Sequence, residues 1–114
     1  MTSVTNLEKY FKPVIKAKEP KLICFSSVTQ QISTIIRAIK YAKSCDGNIF
    51  TLLGGVHVSI HPEIIEKHSY IDAVCIGEGE IPLMNLVNKL EANLSPYSIN
   101  GLWVKNSTTG VIQK

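Results

Sequence analysis

The sequence predicts an α/β fold, an open parallel sheet in three layers (α/β/α) that ends in a C-terminal β-hairpin. Apolar runs of strand length recur at Lys21–Ser26, Asn48–Leu53 and Asp72–Ile76. They lack a polar face, as expected of parallel strands covered by helices on both sides. Segments with helical apolar stripes separate them. Two of the runs end in glycine turns, Gly54-Gly55 and Gly77-Glu78-Gly79. Glycine allows close backbone approach there, at the strand end where ligands sit in open α/β sheets.

Taken in order, Asn6 can cap a first helix carrying Leu7, Tyr10, Phe11, Val14 and Ile15, with Pro13 in its path and Glu19-Pro20 at its end. Lys21–Ser26 is the first strand. A second helix from about Thr29 to Ser44 carries Ile32, Ile35, Ile36, Ile39 and Ala42 on one stripe. Asp46-Gly47 ends it, and Asn48–Leu53 is the second strand. His61-Pro62 opens a short helix reaching about His68, since proline suits a first helical position. Asp72–Ile76 is the third strand. Pro82 marks another helix start, with Leu83, Leu86, Val87 and Leu90 as the stripe. Gly101–Val104 and Val111–Gln113 form the hairpin across Asn106–Gly110.

This is a Rossmann-like (flavodoxin-like) pattern, with one oddity. Doubly wound folds usually open on a strand, and here a helix comes first. The apolar strand Lys21–Ser26 is left as a sheet edge, a pairing hazard. Either the 114 residues are one partial domain, the later part of a larger unit, or a second copy covers that edge as a homodimer.

Bulk properties narrow the function. The chain has room for one small core. Its net charge of +3 comes from 12 basic and 9 acidic residues that are scattered, which argues against a nucleic-acid partner. No apolar stretch is long enough to span a membrane. Cys24, Cys45 and Cys75 cannot all pair and match no zinc or iron–sulfur spacing; Cys24 and Cys75 read as small buried strand residues, in keeping with a reducing cytoplasm.

The turns carry the candidate site. Gly77-Glu78-Gly79-Glu80-Ile81-Pro82 only superficially resembles a dinucleotide fingerprint. Proline stands at its third glycine position, and Glu78 and Glu80 would repel a pyrophosphate. The two glutamates suit an uncharged ligand that donates amide hydrogen bonds, or they favour the N-terminus of the next helix. Ser26, Ser27, Val28 and Thr29 follow the first strand at the same edge; their hydroxyls can cap the helix, bind a ligand's polar rim, or both. No base marks either serine as a nucleophile. His57, His61 and Glu63 lie on a loop that aligns no metal-binding face, so rim or surface roles fit better. A phosphoacceptor reading fails because Asp72 lies at the wrong end of its strand.

In this order and spacing, Lys21–Ser26, Leu53-Gly54-Gly55-Val56-His57 and Ile71–Glu80 resemble the cobalamin (vitamin B12)-binding domain of B12-dependent radical S-adenosylmethionine enzymes, of the anaerobic magnesium-protoporphyrin monomethyl ester cyclase-like group. The resemblance extends through Gly101-Leu102-Trp103-Val104. It implies a corrin across the strand ends and a nucleotide tail slotted beside the sheet. Ser26, Ser27, Val28 and Thr29 match the serine turn that meets the tail. Gly54, Gly55, Val56 and His57 match the double-glycine turn that leaves room for it. Gly77, Glu78, Gly79 and Glu80 match the turn at the corrin edge. The family's first β-α-β unit and its Asp-x-His-x-x-Gly cobalt-ligand motif are absent from this sequence. So is the Cys-x-x-x-Cys-x-x-Cys motif that holds a 4Fe-4S cluster and S-adenosylmethionine. The resemblance therefore implies a cofactor-binding module, not catalytic by itself, that partners a radical S-adenosylmethionine catalytic domain. The competing expectation is a degenerate interaction domain that binds no cofactor and dimerises through Lys21–Ser26.

Overall fold

The computed structural model describes residues 21–26, 32–106 and 109–114. The first helix expected from Asn6 lies outside the described residues. Five strands form one sheet in the order β1 (Leu22–Ser26), β2 (Phe50–Gly54), β3 (Ala73–Cys75), β4 (Leu102–Lys105) and β5 (Ile112–Gln113). The first three pair in parallel and the last two join antiparallel as the hairpin.

Alternate residues of each strand serve opposite layers, as a pleated backbone requires. Phe25, Leu53, Val74 and Trp103 meet α1 (Ile32–Cys45), α2 (Val56–Ile60) and α3 (Ile64–Lys67) through Ile39, Val58, Ile64 and Ile65. Leu22, Leu52, Ala73, Cys75, Leu102 and Val104 meet α4 (Glu80–Glu91) through Leu83, Leu86 and Leu90. The three-layer expectation holds: among the described residues, three helices lie on one face and a single helix on the other.

Element boundaries moved for local reasons. The second strand begins at Phe50, because Asp46 holds a turn in which its carboxylate accepts the Asn48 amide at 2.9 Å and its carbonyl the Ile49 amide at 3.1 Å. It runs on through Gly54, which pairs with Ser26. α4 begins at Glu80, and Pro82 is tolerated because the first-turn amides have no intrahelical acceptor. The sequence reading missed α2 altogether. Its Val-His-Val-Ser-Ile is a poor helix former, yet Gly55 at φ +106° turns the chain and Val58 becomes fully buried against the sheet. Cys24 was expected to be buried but is exposed on β1. It lies on the α4 face at the sheet edge, whereas α4 packs mainly over β3 and β4.

At the amino ends of β2 and β3 a polar network sets the register. Buried Thr51 donates its amide to the Asp72 carboxylate at 2.9 Å and its hydroxyl to the Tyr70 carbonyl at 2.6 Å. The Lys43 ammonium reaches the same carboxylate oxygen at 2.6 Å. Nearby, His68 contacts the Tyr70 hydroxyl at 2.9 Å, and the Lys105 ammonium donates to the His68 carbonyl at 2.7 Å. Burial, then the Lys105 and Lys67 charges, push the His68 imidazole below its ordinary value of 6.5.

Two outcomes follow. Replacing Asp72 by Ala leaves the Thr51 amide without its acceptor and removes the Lys43 ion pair, so urea unfolding should show a loss of about 2 kcal/mol, with Asp72→Asn in between. As pH falls through the unfolded histidine value, the unfolded chain takes up the His68 proton first, so stability drops. The melting temperature should therefore fall between about pH 7.5 and about pH 5.5, and His68→Asn should flatten that slope.

Candidate functional site

The parallel ladder brings three strand ends to one edge. Ser26 closes β1, exposed and level with Gly54 at the end of β2. Cys75, one strand further, lies so close that a Cβ on Gly54 would sit 3.8 Å from its Cβ. Ser26, Gly54 and Cys75 thus form one row on the α4 face, with a bare backbone in its middle. The Gly77–Glu80 turn leaves β3 directly above. Ser27, Val28 and Thr29 lie outside the described residues. Val56 and His57 open α2, and their side chains also fall outside the description.

The glycines divide into two kinds. Gly55 (φ +106°), Gly77 (φ +83°) and Gly101 (φ +89°) occupy left-handed conformations that other residues resist. Gly54 and Gly79 do not. Side chains there would begin in ordinary contact, 3.8 Å from Cys75 Cβ and 3.6 Å from Cys75 Sγ. The chain's own fold makes no demand for glycine at either position. Their bare backbones leave Cys75 flanked by two positions without side chains.

This edge combines protonated thiols with two exposed carboxylates. Burial pushes the Cys75 thiol up, and burial together with Cys75 pushes the Cys24 thiol up, so both present S–H rather than thiolate at neutral pH. Glu78 and Glu80 are exposed, and Glu80 stands in the first turn of α4, where its charge favours the helix dipole. Gly79 caps that helix without any side-chain bond. The His61 ring lies 3.3 Å from Glu63, in a cavity it lines with Ile32, Ile36 and His68. Among the described residues no three His, Cys, Asp or Glu side chains gather as a metal centre requires, and no helix is long and apolar enough to cross a membrane.

Two supporting residues were invisible as site residues in the sequence. The Ser59 hydroxyl donates to the Gly55 carbonyl at 3.1 Å and accepts the Gly77 amide at 2.9 Å. Its only sequence signal is a serine four residues beyond a glycine. Gly101 accepts the Ile76 amide at 2.8 Å beneath the Gly-Glu-Gly turn, and a Cβ there would meet Pro82 Cγ at 3.0 Å. Gly101→Ala should therefore lower stability by about 1–2 kcal/mol in denaturant unfolding, from left-handed strain and the Pro82 clash together. Gly47→Ala, with neither feature, should be nearly neutral.

Comparison with known proteins places these turns within a family. Residues 2–87 match the family model for the B12 binding domain. An uncharacterised methyltransferase of Pyrococcus horikoshii is 32% identical over 95 residues, covering 82% of this chain and 21% of its own length. The anaerobic magnesium-protoporphyrin IX monomethyl ester cyclase of Rubrivivax gelatinosus is 29% identical, covering 74% of this chain and 15% of its own length. A cobalamin-dependent radical SAM methyltransferase of Streptomyces tokunonensis is 27% identical, covering 82% and 14%. The chain thus spans about a fifth or less of the length of these relatives. The match to the family model takes in the serine turn, both glycine turns and most of α4, and the chain belongs to the B12 binding domain family.

Proposed function

We propose that this chain is the cobalamin-holding module of a cobalamin-dependent radical S-adenosylmethionine enzyme and performs no chemistry by itself. The observation that carries the reading is Gly54, a glycine with ordinary backbone and no internal clash to avoid, placed at the strand-end row between Ser26 and Cys75. A residue of that kind is explained by something outside the chain that needs the space.

In this reading Gly54 and Gly55 leave room for the nucleotide tail. Ser26 to Thr29 supply hydroxyls and backbone groups along it, and Val56 and His57 border it. Gly77, Glu78, Gly79 and Glu80 face the corrin edge, where the two carboxylates accept hydrogen bonds from the corrin's side-chain amides. The neutral thiol of Cys75 forms an uncharged floor between the two bare glycines. When bound, cobalamin supplies the cobalt chemistry; these residues hold and orient it. The 4Fe-4S cluster and S-adenosylmethionine belong to the catalytic domain of the parent enzyme. Three free cysteines suit a reducing compartment, and the cytoplasm is the proposed location.

Titration with hydroxocobalamin followed by desalting tests this. The wild-type chain should retain the visible spectrum and show amide shifts at Ser26, Gly55 and Gly77. Gly54→Leu should keep its far-UV spectrum while losing about tenfold or more in affinity. Absence of any retained cobalamin on the wild type sinks the reading. Equal affinity of Gly54→Leu removes Gly54 as the seat of the ligand.

One observation favours a second reading, dimerisation through the β1 edge: β1 has a single neighbour among the described strands, and Cys24 is exposed on it. It expects a concentration-dependent dimer in ultracentrifugation that Cys24→Lys dissociates. A persistently monomeric wild type removes it.

A further inference from the structure

Ser59 lies near the end of α2, and no motif in the sequence marks it. Its hydroxyl nevertheless makes two bonds, donating to the Gly55 carbonyl at 3.1 Å and accepting the Gly77 amide at 2.9 Å. The first is an ordinary helical back-bond from a serine to the carbonyl four residues earlier. The second reaches across to a turn 18 residues away. A short side chain that is donor and acceptor at once is what such a bridge requires, and only serine and threonine hydroxyls offer it from a helix this close.

The two residues it joins are the left-handed glycines of the two turns, Gly55 at φ +106° and Gly77 at φ +83°. Glycine populates many conformations, so its presence permits these turns without selecting them. Gly77 is also exposed, and a Cβ on it would find nothing within 4 Å. Packing therefore does not hold Gly77 itself. The Ile76 amide anchors its base on Gly101, and the Ser59 hydroxyl anchors the glycine itself.

We infer that Ser59 is a positioning residue: its hydroxyl fixes the separation of the two glycine turns and thereby the width of the ligand-facing edge. This rests on the cobalamin reading for the identity of the ligand, but not for the clamp. With the clamp made, the turns are held apart at one spacing before the ligand arrives, and binding need not order them. Without it, Gly77 is free to swing and the edge must be assembled on binding.

Ser59→Ala and Ser59→Thr, in the full chain, test the inference by two readouts. In ligand-free protein the Ala variant should move the Gly77 amide resonance and speed its hydrogen exchange by about fivefold, while Thr restores both. In titration with hydroxocobalamin, Ala should weaken binding about 3- to 10-fold and Thr should bind as wild type does. The melting temperature of both should stay near the wild-type value, since Gly77 is exposed and its amide can turn to water. A Gly77 amide indifferent to Ser59→Ala overturns the clamp. A changed amide with unchanged affinity overturns its role in setting the edge. Failure of wild type and both variants alike to bind cobalamin overturns the proposed function, and the amide readout then decides the clamp alone.

Discussion

The in-register parallel pairing of β1, β2 and β3 is the constraint from which the rest of the molecule follows. Because Ser26 pairs with Gly54, and Leu53 with Val74, the three strands finish at one level and their turns share one edge. A one-residue slip would turn each strand's apolar set to the wrong layer. The Thr51–Asp72–Lys43 network guards against that slip from the far end of the ladder, where a buried amide and hydroxyl find their acceptors only in this register. Polar bonds at the amino ends thus hold in place the bare backbone at the carboxyl ends.

Above that ladder the edge has both rigid and open parts. Leu53, Val58 and Val74 are fully buried just behind it, so the ground on which the turns stand is tightly packed. The turns themselves carry little packing. Their shape comes from three left-handed glycines and a few hydrogen bonds, with Gly101 beneath and Ser59 between. Rigid strands thus end in lightly packed turns that present backbone and hydroxyl groups at one edge.

Glu78 and Glu80 look alike in the sequence but hold different places. Glu80 occupies the first turn of α4, where its charge also serves the helix. Glu78 lies outside the helix, so the helix dipole gives it no comparable role. With the exposed Ser26 hydroxyl on β1 and the protonated Cys75 thiol at the end of β3, the two carboxylates make this edge acidic and rich in hydrogen-bond acceptors.

Apolar runs of strand length and helical periodicity alone determined the fold class, the number of described strands, the α1 and α4 stripes and the hairpin, because a strand covered on both faces reads as an unbroken apolar run and a helix with one buried face repeats every 3.6 residues. The positions of Ser26, Gly54-Gly55 and Gly77–Glu80 just past the strand runs likewise placed these turns at one edge of the sheet. Tertiary structure decided the rest. Val56–Ile60 became helical against its propensity because Gly55 reverses the chain and Val58 has a core to enter. Cys24 stayed exposed because α4 packs over β3 and β4, a matter of layer placement that strand composition does not record. Only the folded chain separates glycines that the backbone requires from Gly54 and Gly79, which it does not, since that distinction rests on φ and on neighbours far away in sequence. Ser59 acquires its place between two turns for the same reason: a hydrogen bond across 18 residues leaves no periodic trace in the sequence.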